Sequence, residues 1–321
     1  MNTSMNASRL RQLTLDAVEH VPFYKHHWRS NGVDLTRVGS AVHLEFLPVV
    51  RKTDLASHAD EMRADEYGAR RRRARFMHAL RDVGYIPGEK VMLISDEPRP
   101  KMAAFLRWTH VDVSQGEQNI FDTYARVRPR VLYGPLSSLV FLARRMLATP
   151  DVMCRPKLVV STAQQLTDEQ RSLLESAFNA RVADFYGTRE LGLIAYSKPG
   201  SRGYQIFQRE FHVELLRTGT ALERLVVTDL GGGAMPLIRF DTEDLVRRDL
   251  TSAGSPIVEI CGRTGDSLLA AAGEYLSPQE VELALVRGER AASVAAARTA
   301  PSAKSSAWAV PPRWYEAALR P

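Results

Sequence analysis

Short apolar runs alternate with amphipathic segments over the first half of the chain. The runs at 91–94, 131–133, 158–161 and 182–186 are typical of buried strands. Apolar residues at helical spacing predict helices at 8–20, 75–83, 139–147 and 167–178. Strands that alternate with helices favour a mostly parallel sheet with helices on both faces. The pattern therefore predicts an α/β fold.

The pattern changes beyond Glu190. The runs at 211–216, 224–228, 238–240 and 257–260 predict further strands in close succession. They favour a smaller, more antiparallel lobe beside the α/β layer. The residues Ser-Pro-Gln-Glu at 277–280 have the form of a helix start. Apolar periodicity is lost after Val286, which predicts a tail.

The composition is that of an ordinary globular protein. Of the 321 residues, 45% are hydrophobic and 25% are charged. No apolar run reaches the roughly 18 residues that a membrane span needs, and no signal-peptide core stands at the start, so we expect a cytoplasmic protein without a membrane partner. The two cysteines support neither a disulfide framework nor a cysteine-rich metal site.

The net charge of +6 allows phosphorylated ligands or nucleic acid as partners. The chain carries no recognition-helix or RNA-binding signature, which argues against nucleic acid. One local run of arginines, at 70–75, lies on a predicted helix whose other face is apolar. We interpret these arginines as a solvated helix face, with a phosphate-binding role for one of them as the alternative.

Three short motifs each follow an apolar run and end in a turn with a charged group. They are FYGTRE at 185–190, PLIRFDTEDL at 236–245 after Thr228 and Asp229, and CGRTGD at 261–266. Their order and spacing resemble the nucleotide-binding motifs of adenylate-forming enzymes, most closely the phenylacetate–CoA ligase branch. The resemblance covers most of the chain. It implies the N-terminal α/β domain of that family, with a parallel sheet flanked by helices, a smaller antiparallel lobe and internal deletions.

The resemblance implies a role for each residue of the first motif. Tyr186 would stack on the adenine, and Gly187 would permit the tight turn. Glu190 would be catalytic and hold the Mg²⁺ that accompanies a nucleotide, the only metal that we expect. The family has Ser or Thr just before this glutamate, donating to the α-phosphate. Here Arg189 occupies that position and Thr188 precedes it, so both are candidate catalytic residues.

The other two motifs would bind the sugar and phosphate side of ATP or AMP. Asp244 matches the aspartate that accepts both ribose hydroxyls, and Arg239 belongs to the same motif. The family's usual glycine before this aspartate is Glu243 here. Arg263 would reach the ribose or the phosphates. Asp266 matches the hinge about which the family's C-terminal lobe turns.

Two catalytic elements of the family have no counterpart in this sequence. No Ser/Thr/Gly-rich phosphate loop follows Leu55, and only a tail follows Leu285 where the family has a lobe with a catalytic lysine. We therefore expect a shortened N-terminal subdomain at 1–130, a nucleotide-binding subdomain at 131–286 and a tail at 287–321.

Two functions stay open at this point. The first is an ATP-dependent ligase that activates a small carboxylic acid, with coenzyme A as an acceptor and with a protein partner supplying the missing lobe. The second is a non-catalytic nucleotide-binding or scaffolding relative, or a truncated gene product. Removing one donor to transition-state charge typically costs about 10²–10³ in rate. We therefore expect little adenylation from the isolated chain.

Overall fold

The computed structural model describes residues 2–38, 44–56, 66–96, 101–149, 154–201, 203–219, 221–231, 236–248, 259–269 and 275–276. The chain forms two compact units, Met1–Gly262 and Arg263–Pro321. The predicted helix start at 277–280 and the predicted tail at 287–321 lie outside the described residues. The domain boundaries after 130 and 286 stay predictions.

A seven-stranded sheet forms the centre of the first unit, in the order β2-β1-β3-β4-β5-β6-β7. Its strands are β1 Val91–Ser95, β2 Thr109–Asp112, β3 Val131–Pro135, β4 Leu158–Thr162, β5 Arg181–Thr188, β6 Gly192–Ser197 and β7 Tyr204–Ile206. Strands β1 to β5 are parallel, whereas β6 and β7 are antiparallel to their neighbours. The predicted mostly parallel sheet is confirmed.

Eight α-helices lie in the part of the chain that the structure describes. They are α1 Asn2–His20, α2 Pro22–Ser30, α3 Lys52–Ala56, α4 Glu66–Asp82, α5 Lys101–Phe105, α6 Glu117–Val127, α7 Leu136–Ala148 and α8 Asp168–Phe178. Helices α6, α7 and α8 share a buried cluster with alternate strand residues such as Met92 and Val159. Residues of α4 pack with the strand residues between them, such as Val91 and Val160. The alternation along each strand thus gives the sheet two apolar faces, each covered by helix.

The segment at 95–122 departs from the sequence-based expectation. Its weak pattern, interrupted by Pro98 and Pro100, predicts no elements, yet β2, α5 and α6 form there. Strand β2 is a short edge strand whose single partner is β1, so its pairing rather than its own sequence explains it. Strands β6 and β7 are also absent from the sequence-based expectation. They form because the chain reverses after β5, so that β6 pairs with β5 and β7 pairs with β6.

The helix ends follow local chemistry. Thr167 and Gln170 form a capping box at the start of α8, as the Thr-x-x-Gln spacing at 167–170 predicts, and Asn179 ends that helix in a left-handed conformation with φ of 47°. The first helix ends at His20, as the following proline predicts. Pro22 also begins α2, where its missing N–H has no consequence.

A second, antiparallel sheet has the order β11-β10-β9-β8. Its strands are β8 Phe211–Arg217, β9 Glu223–Asp229, β10 Phe240–Arg247 and β11 Glu259–Arg263. This confirms the predicted antiparallel lobe. The strand predicted at 238–240 is wrong in its bounds, because β10 begins at Phe240. In the second unit, β12 Leu268–Leu269 and β13 Tyr275–Leu276 form a small antiparallel pair.

The N-terminal helices hold the segment that leads into β10. The hydroxyl of Tyr24 in α2 donates to the carbonyl of Pro236 at 2.5 Å and accepts from the N–H of Ile238 at 2.9 Å. Burial of this side chain raises the pKa of Tyr24 well above its ordinary value. Val50 exchanges backbone hydrogen bonds of 2.9 Å with Arg239 and Asp241. The start of the second motif is therefore fixed from two sides.

Candidate nucleotide-binding site

Tyr186 lies near the end of β5, on the same side of the strand as Asp184. Its side chain is 9% exposed, and its ring meets that of Tyr204 edge-on at 6.3 Å between centroids. Its hydroxyl donates to Oδ2 of Asp244 at 2.5 Å. The structure thus brings together two predicted site residues from separate motifs and separate sheets.

Asp244 occupies a bulge within β10, not a turn after a strand as the sequence indicates. The strand register shifts between Asp241 and Leu245. Within this bulge the N–H of Asp244 donates to the Thr242 hydroxyl at 3.2 Å, and that hydroxyl donates to the Leu225 carbonyl at 2.9 Å. The bulge re-aims the Asp244 carboxylate toward Tyr186, a common use of bulges beside sites.

Glu243 has a left-handed backbone conformation. Its φ is 65°, in the left-handed region that glycine adopts without cost. The N–H of Glu243 donates to Oδ1 of Asp241 at 2.9 Å, and its carboxylate pairs with Lys52 at 3.1 Å. A glutamate at this φ is strained, since its Cβ crowds the backbone there.

The turn at 188–191 joins β5 to β6. Gly187 is required beside it, since a Cβ there would lie 2.4 Å from the carbonyl oxygen of Gly192. The Thr188 hydroxyl accepts from the N–H of Leu191 at 3.2 Å and so closes the turn. Arg189 is 81% exposed and pairs with Asp96 at 3.1 Å, a surface ion pair of small energetic value. Glu190 is half-buried in the same turn.

The arginines of α4 contact this turn, which corrects the interpretation of the run as a solvated face. Arg72 donates to the carbonyls of Arg189, at 3.2 Å, and Glu190. Arg75 donates to the carbonyl of Leu191 at 2.7 Å and is 3% exposed. Arg73 is exposed and does fit the predicted face. The sequence alone did not show this, because the arginines' carbonyl partners lie more than a hundred residues away.

The remaining charges of this cluster link α4 to the antiparallel sheet. Arg75 pairs with Glu210 at 2.5 Å, and its guanidinium lies 4.8 Å from the ring centroid of Phe211. Arg71 lies 3.4 Å from carboxylate oxygens of both Glu210 and Asp229. Buried charges of this kind are held only where they are paired.

Arg239 is predicted to bind the cofactor, and its guanidinium contacts protein groups. Both carboxylate oxygens of Glu214 accept from it, each at 3.0 Å. It also donates to the carbonyls of Glu45, at 3.2 Å, and Leu47. Its side chain is 6% exposed. This arrangement binds the segment at 45–47 to the start of β10.

A buried polar row that the motifs do not include crosses four strands beside Tyr186. Ser161, Asp184, Ser197 and Tyr204 occupy successive paired positions of β4 to β7. The Tyr204 hydroxyl donates to Oδ2 of Asp184. Burial raises the pKa of Asp184 to about 6, although the Tyr204 and Ser161 hydroxyls and Arg171 favour its charged form. The one signal in the sequence was a charged residue inside an apolar run.

Arg263 and Asp266 belong to the second unit. The N–H of Asp266 donates to the carbonyl of Arg263 at 3.1 Å, and the Ser267 hydroxyl donates to the same carbonyl at 2.7 Å. The two residues therefore form one turn. Their predicted ribose, phosphate and hinge roles stay predictions.

Among the described residues, no group of three or more His, Cys, Asp or Glu side chains could hold a metal ion. Glu190 supplies a single half-buried carboxylate. One carboxylate suits a Mg²⁺ ion that keeps several waters and is bound chiefly by phosphates, not a resident ion. In the described part of the chain, no helix has the length and apolarity to cross a membrane. Both described cysteines are buried free thiols.

Comparison with solved structures identifies the fold. A 2-hydroxyisobutyryl-CoA ligase in an open conformation with 2-HIB-AMP and CoA matches with a TM-score of 0.68 and 20% identity, over 89% of this chain and 75% of that one. The same enzyme in the postadenylation state with R3-HIB-AMP matches with a TM-score of 0.69 and 20% identity, over 89% of this chain and 72% of that one. In its thioesterification state it matches with a TM-score of 0.63 and 20% identity, over 89% of this chain and 73% of that one.

The chain therefore has the fold of the adenylate-forming acyl-CoA ligases. No protein-family model matches it. No curated protein matches it either. The structural likeness confirms the fold expected from the three motifs.

Proposed function

We propose that this chain binds an adenine nucleotide at Tyr186 and Asp244 and descends from carboxylate-activating ligases. The hydrogen bond between these two side chains carries the proposal. The motif resemblance assigns Tyr186 to the adenine and Asp244 to the ribose, and the two side chains lie side by side in a ligase fold. The left-handed backbone of Glu243, in the place of the family's glycine, supports the same assignment.

Tyr186 would present an aromatic face to the base while its hydroxyl orients the Asp244 carboxylate. A carboxylate has two oxygens that can accept from both hydroxyls of a ribose. Gly187 would let the backbone turn close to the ligand. Arg239 would act here through its hold on the start of β10.

The turn at 188–191 would face the phosphates. Glu190 would hold the Mg²⁺ ion that arrives with ATP. When bound, this ion would act as a Lewis acid that stabilises the phosphate charge. Thr188 and Arg189 would donate to the α-phosphate, Arg189 by its planar fork. The ion pair of Arg189 with Asp96 is exposed, so a phosphate could displace it at little energetic cost.

We propose further that the isolated chain makes acyl adenylates slowly. The sequence after Leu55 holds no Ser/Thr/Gly-rich loop to bind the β- and γ-phosphates. Without such donors the geometry for attack on the α-phosphate is less well fixed. The ligase function would involve a small carboxylic acid and coenzyme A. The second candidate is a non-catalytic nucleotide-binding relative, which the same missing loop favours.

Thermal-shift titration with AMP, and with ATP and Mg²⁺, tests the binding site. A nucleotide at about 100 times its Kd should stabilise the protein by about 2.7 kcal/mol. Asp244→Asn should abolish the shift and Tyr186→Phe should reduce it. Asp122→Asn, on the exposed side of α6, is the matched control and should leave it unchanged. An equal shift in the Asp244 variant would refute this site.

Pyrophosphate exchange with a panel of aryl and aliphatic acids then separates the two functions. Exchange by the chain alone, lost in Glu190→Ala, would contradict slow adenylation. Exchange that requires an added protein partner would indicate a ligase divided between chains. Nucleotide binding without exchange under either condition would favour the non-catalytic relative.

A further inference from the structure

Three consecutive carbonyls of the turn at 188–191 accept hydrogen bonds from one helix. Arg72 donates to the carbonyls of Arg189 and Glu190, and Arg75 donates to that of Leu191. Hydrogen bonds from a charged donor are about twice as strong as neutral ones. Turn carbonyls at the surface are ordinarily left to water. This turn is instead bound by two guanidinium groups.

The spacing of the arginines and the hairpin backbone are matched to each other. Arg72 and Arg75 are three residues apart in α4, so their side chains leave the same face of the helix. Gly192 follows the turn with φ of 70°, and a Cβ there would lie 3.2 Å from Cγ and 3.3 Å from Cδ of Arg72. The glycine lets the arginine stem lie directly on the hairpin.

The donors are themselves held in place. Arg75 is buried and pairs with Glu210 at 2.5 Å, while its guanidinium stacks over the ring of Phe211. One turn further along α4, Ala79 and Leu80 are fully buried against the main sheet. Helix α4 therefore anchors the turn to both sheets of the first unit.

We propose that Arg72 and Arg75 are positioning residues that hold the turn at 188–191, and with it the Glu190 carboxylate, in the geometry that binds nucleotide phosphates. The inference rests on the proposed function for the role of Glu190 but not for the hold on the turn. The arginines act through backbone carbonyls and touch neither base nor ribose. They should govern the Mg²⁺-dependent part of ATP binding and leave adenosine binding at Tyr186 and Asp244 nearly unchanged, because adenosine has no phosphate for the turn to contact.

Hydrogen exchange measured by mass spectrometry tests the hold on the turn without any ligand. Arg72→Met keeps the apolar stem and removes every donor. We expect amides of the peptide at 187–193 to exchange at least ~tenfold faster, because the variant loses two charge-assisted hydrogen bonds. Arg73→Met, the exposed neighbour, is the control and should not change this peptide. Peptides of β1 to β4 should exchange alike in all variants.

Arg72→Lys adds the conservative comparison and protects the test should the methionine variant fold poorly. Its ammonium keeps the charge but lacks the planar fork that reaches two carbonyls, so we expect intermediate exchange. In parallel, Arg72→Met should weaken ATP binding in Mg²⁺ by ~tenfold and change adenosine binding without Mg²⁺ by less than ~threefold. A role in folding alone would weaken both equally.

The outcomes are distinguishable. Unchanged turn exchange in both Arg72 variants, or equal losses of adenosine and ATP–Mg²⁺ binding, would overturn the positioning role. Failure of the unaltered protein to bind AMP or ATP would overturn the proposed function, and faster turn exchange in Arg72→Met would then still support the hold on the turn.

Discussion

Asp184→Asn should change how the stability of this protein depends on pH. Asp184 is 3% exposed in the row of polar residues beside Tyr186. Asparagine has nearly the same shape, cannot ionise, and still offers an oxygen to the Tyr204 hydroxyl that Asp184 accepts from. The substitution therefore removes the charge and keeps the packing.

The magnitude follows from the pKa. Burial raises the pKa of Asp184 to about 6 in the folded protein from an ordinary value of 3.8. The folded state thus binds the proton more tightly, so ionisation of Asp184 reduces the free energy of unfolding as pH rises from about 4 to about 6. At 1.36 kcal/mol for each pH unit, the full loss is on the order of 3 kcal/mol, and it is complete above pH 6.

The assay is urea unfolding of the parent protein and the variant from pH 4 to pH 8. The difference in free energy of unfolding between the two isolates Asp184, because the other titrating groups are common to both. The variant should gain relative to the parent as pH rises to 6, and the gain should then stay constant. Parallel pH profiles, or a relative gain that grows toward low pH, would refute the reasoning.

Two further sets of variants test the backbone and charge arrangement at β10. Glu243→Gly should change the free energy of unfolding by less than about 1 kcal/mol, whereas Glu243→Val should lower it by about 2 kcal/mol, because φ of 65° excludes a β-branched residue. Thermal unfolding of both variants measures the difference. Equal stabilities would contradict a left-handed Glu243. Arg239→Met should destabilise by about 3–5 kcal/mol because it leaves the carboxylate of Glu214 without its bidentate partner. Arg239→Met combined with Glu214→Gln should recover part of this in the same assay, and a strictly additive double variant would argue against the coupling.

The sequence determined the fold class, and its three motifs supplied the candidate site residues. Alternation of apolar runs with helical periodicity is a local property, and it predicted β1, β3, β4 and β5 together with the helices α4, α7 and α8. The capping box at Thr167 was equally local. Short edge strands such as β2 were not predictable, since pairing with a neighbour stabilises them more than their own residues do.

Only the tertiary structure decided how the site residues meet. The motifs named Tyr186 and Asp244, but the bulge in β10 brings them into contact. The arginines of α4 resembled a solvated face because their carbonyl partners lie in a turn more than a hundred residues later. The sequence specifies which side chains are charged. Whether such a side chain contacts water, a carbonyl or a buried carboxylate depends on which distant segments the fold places beside it.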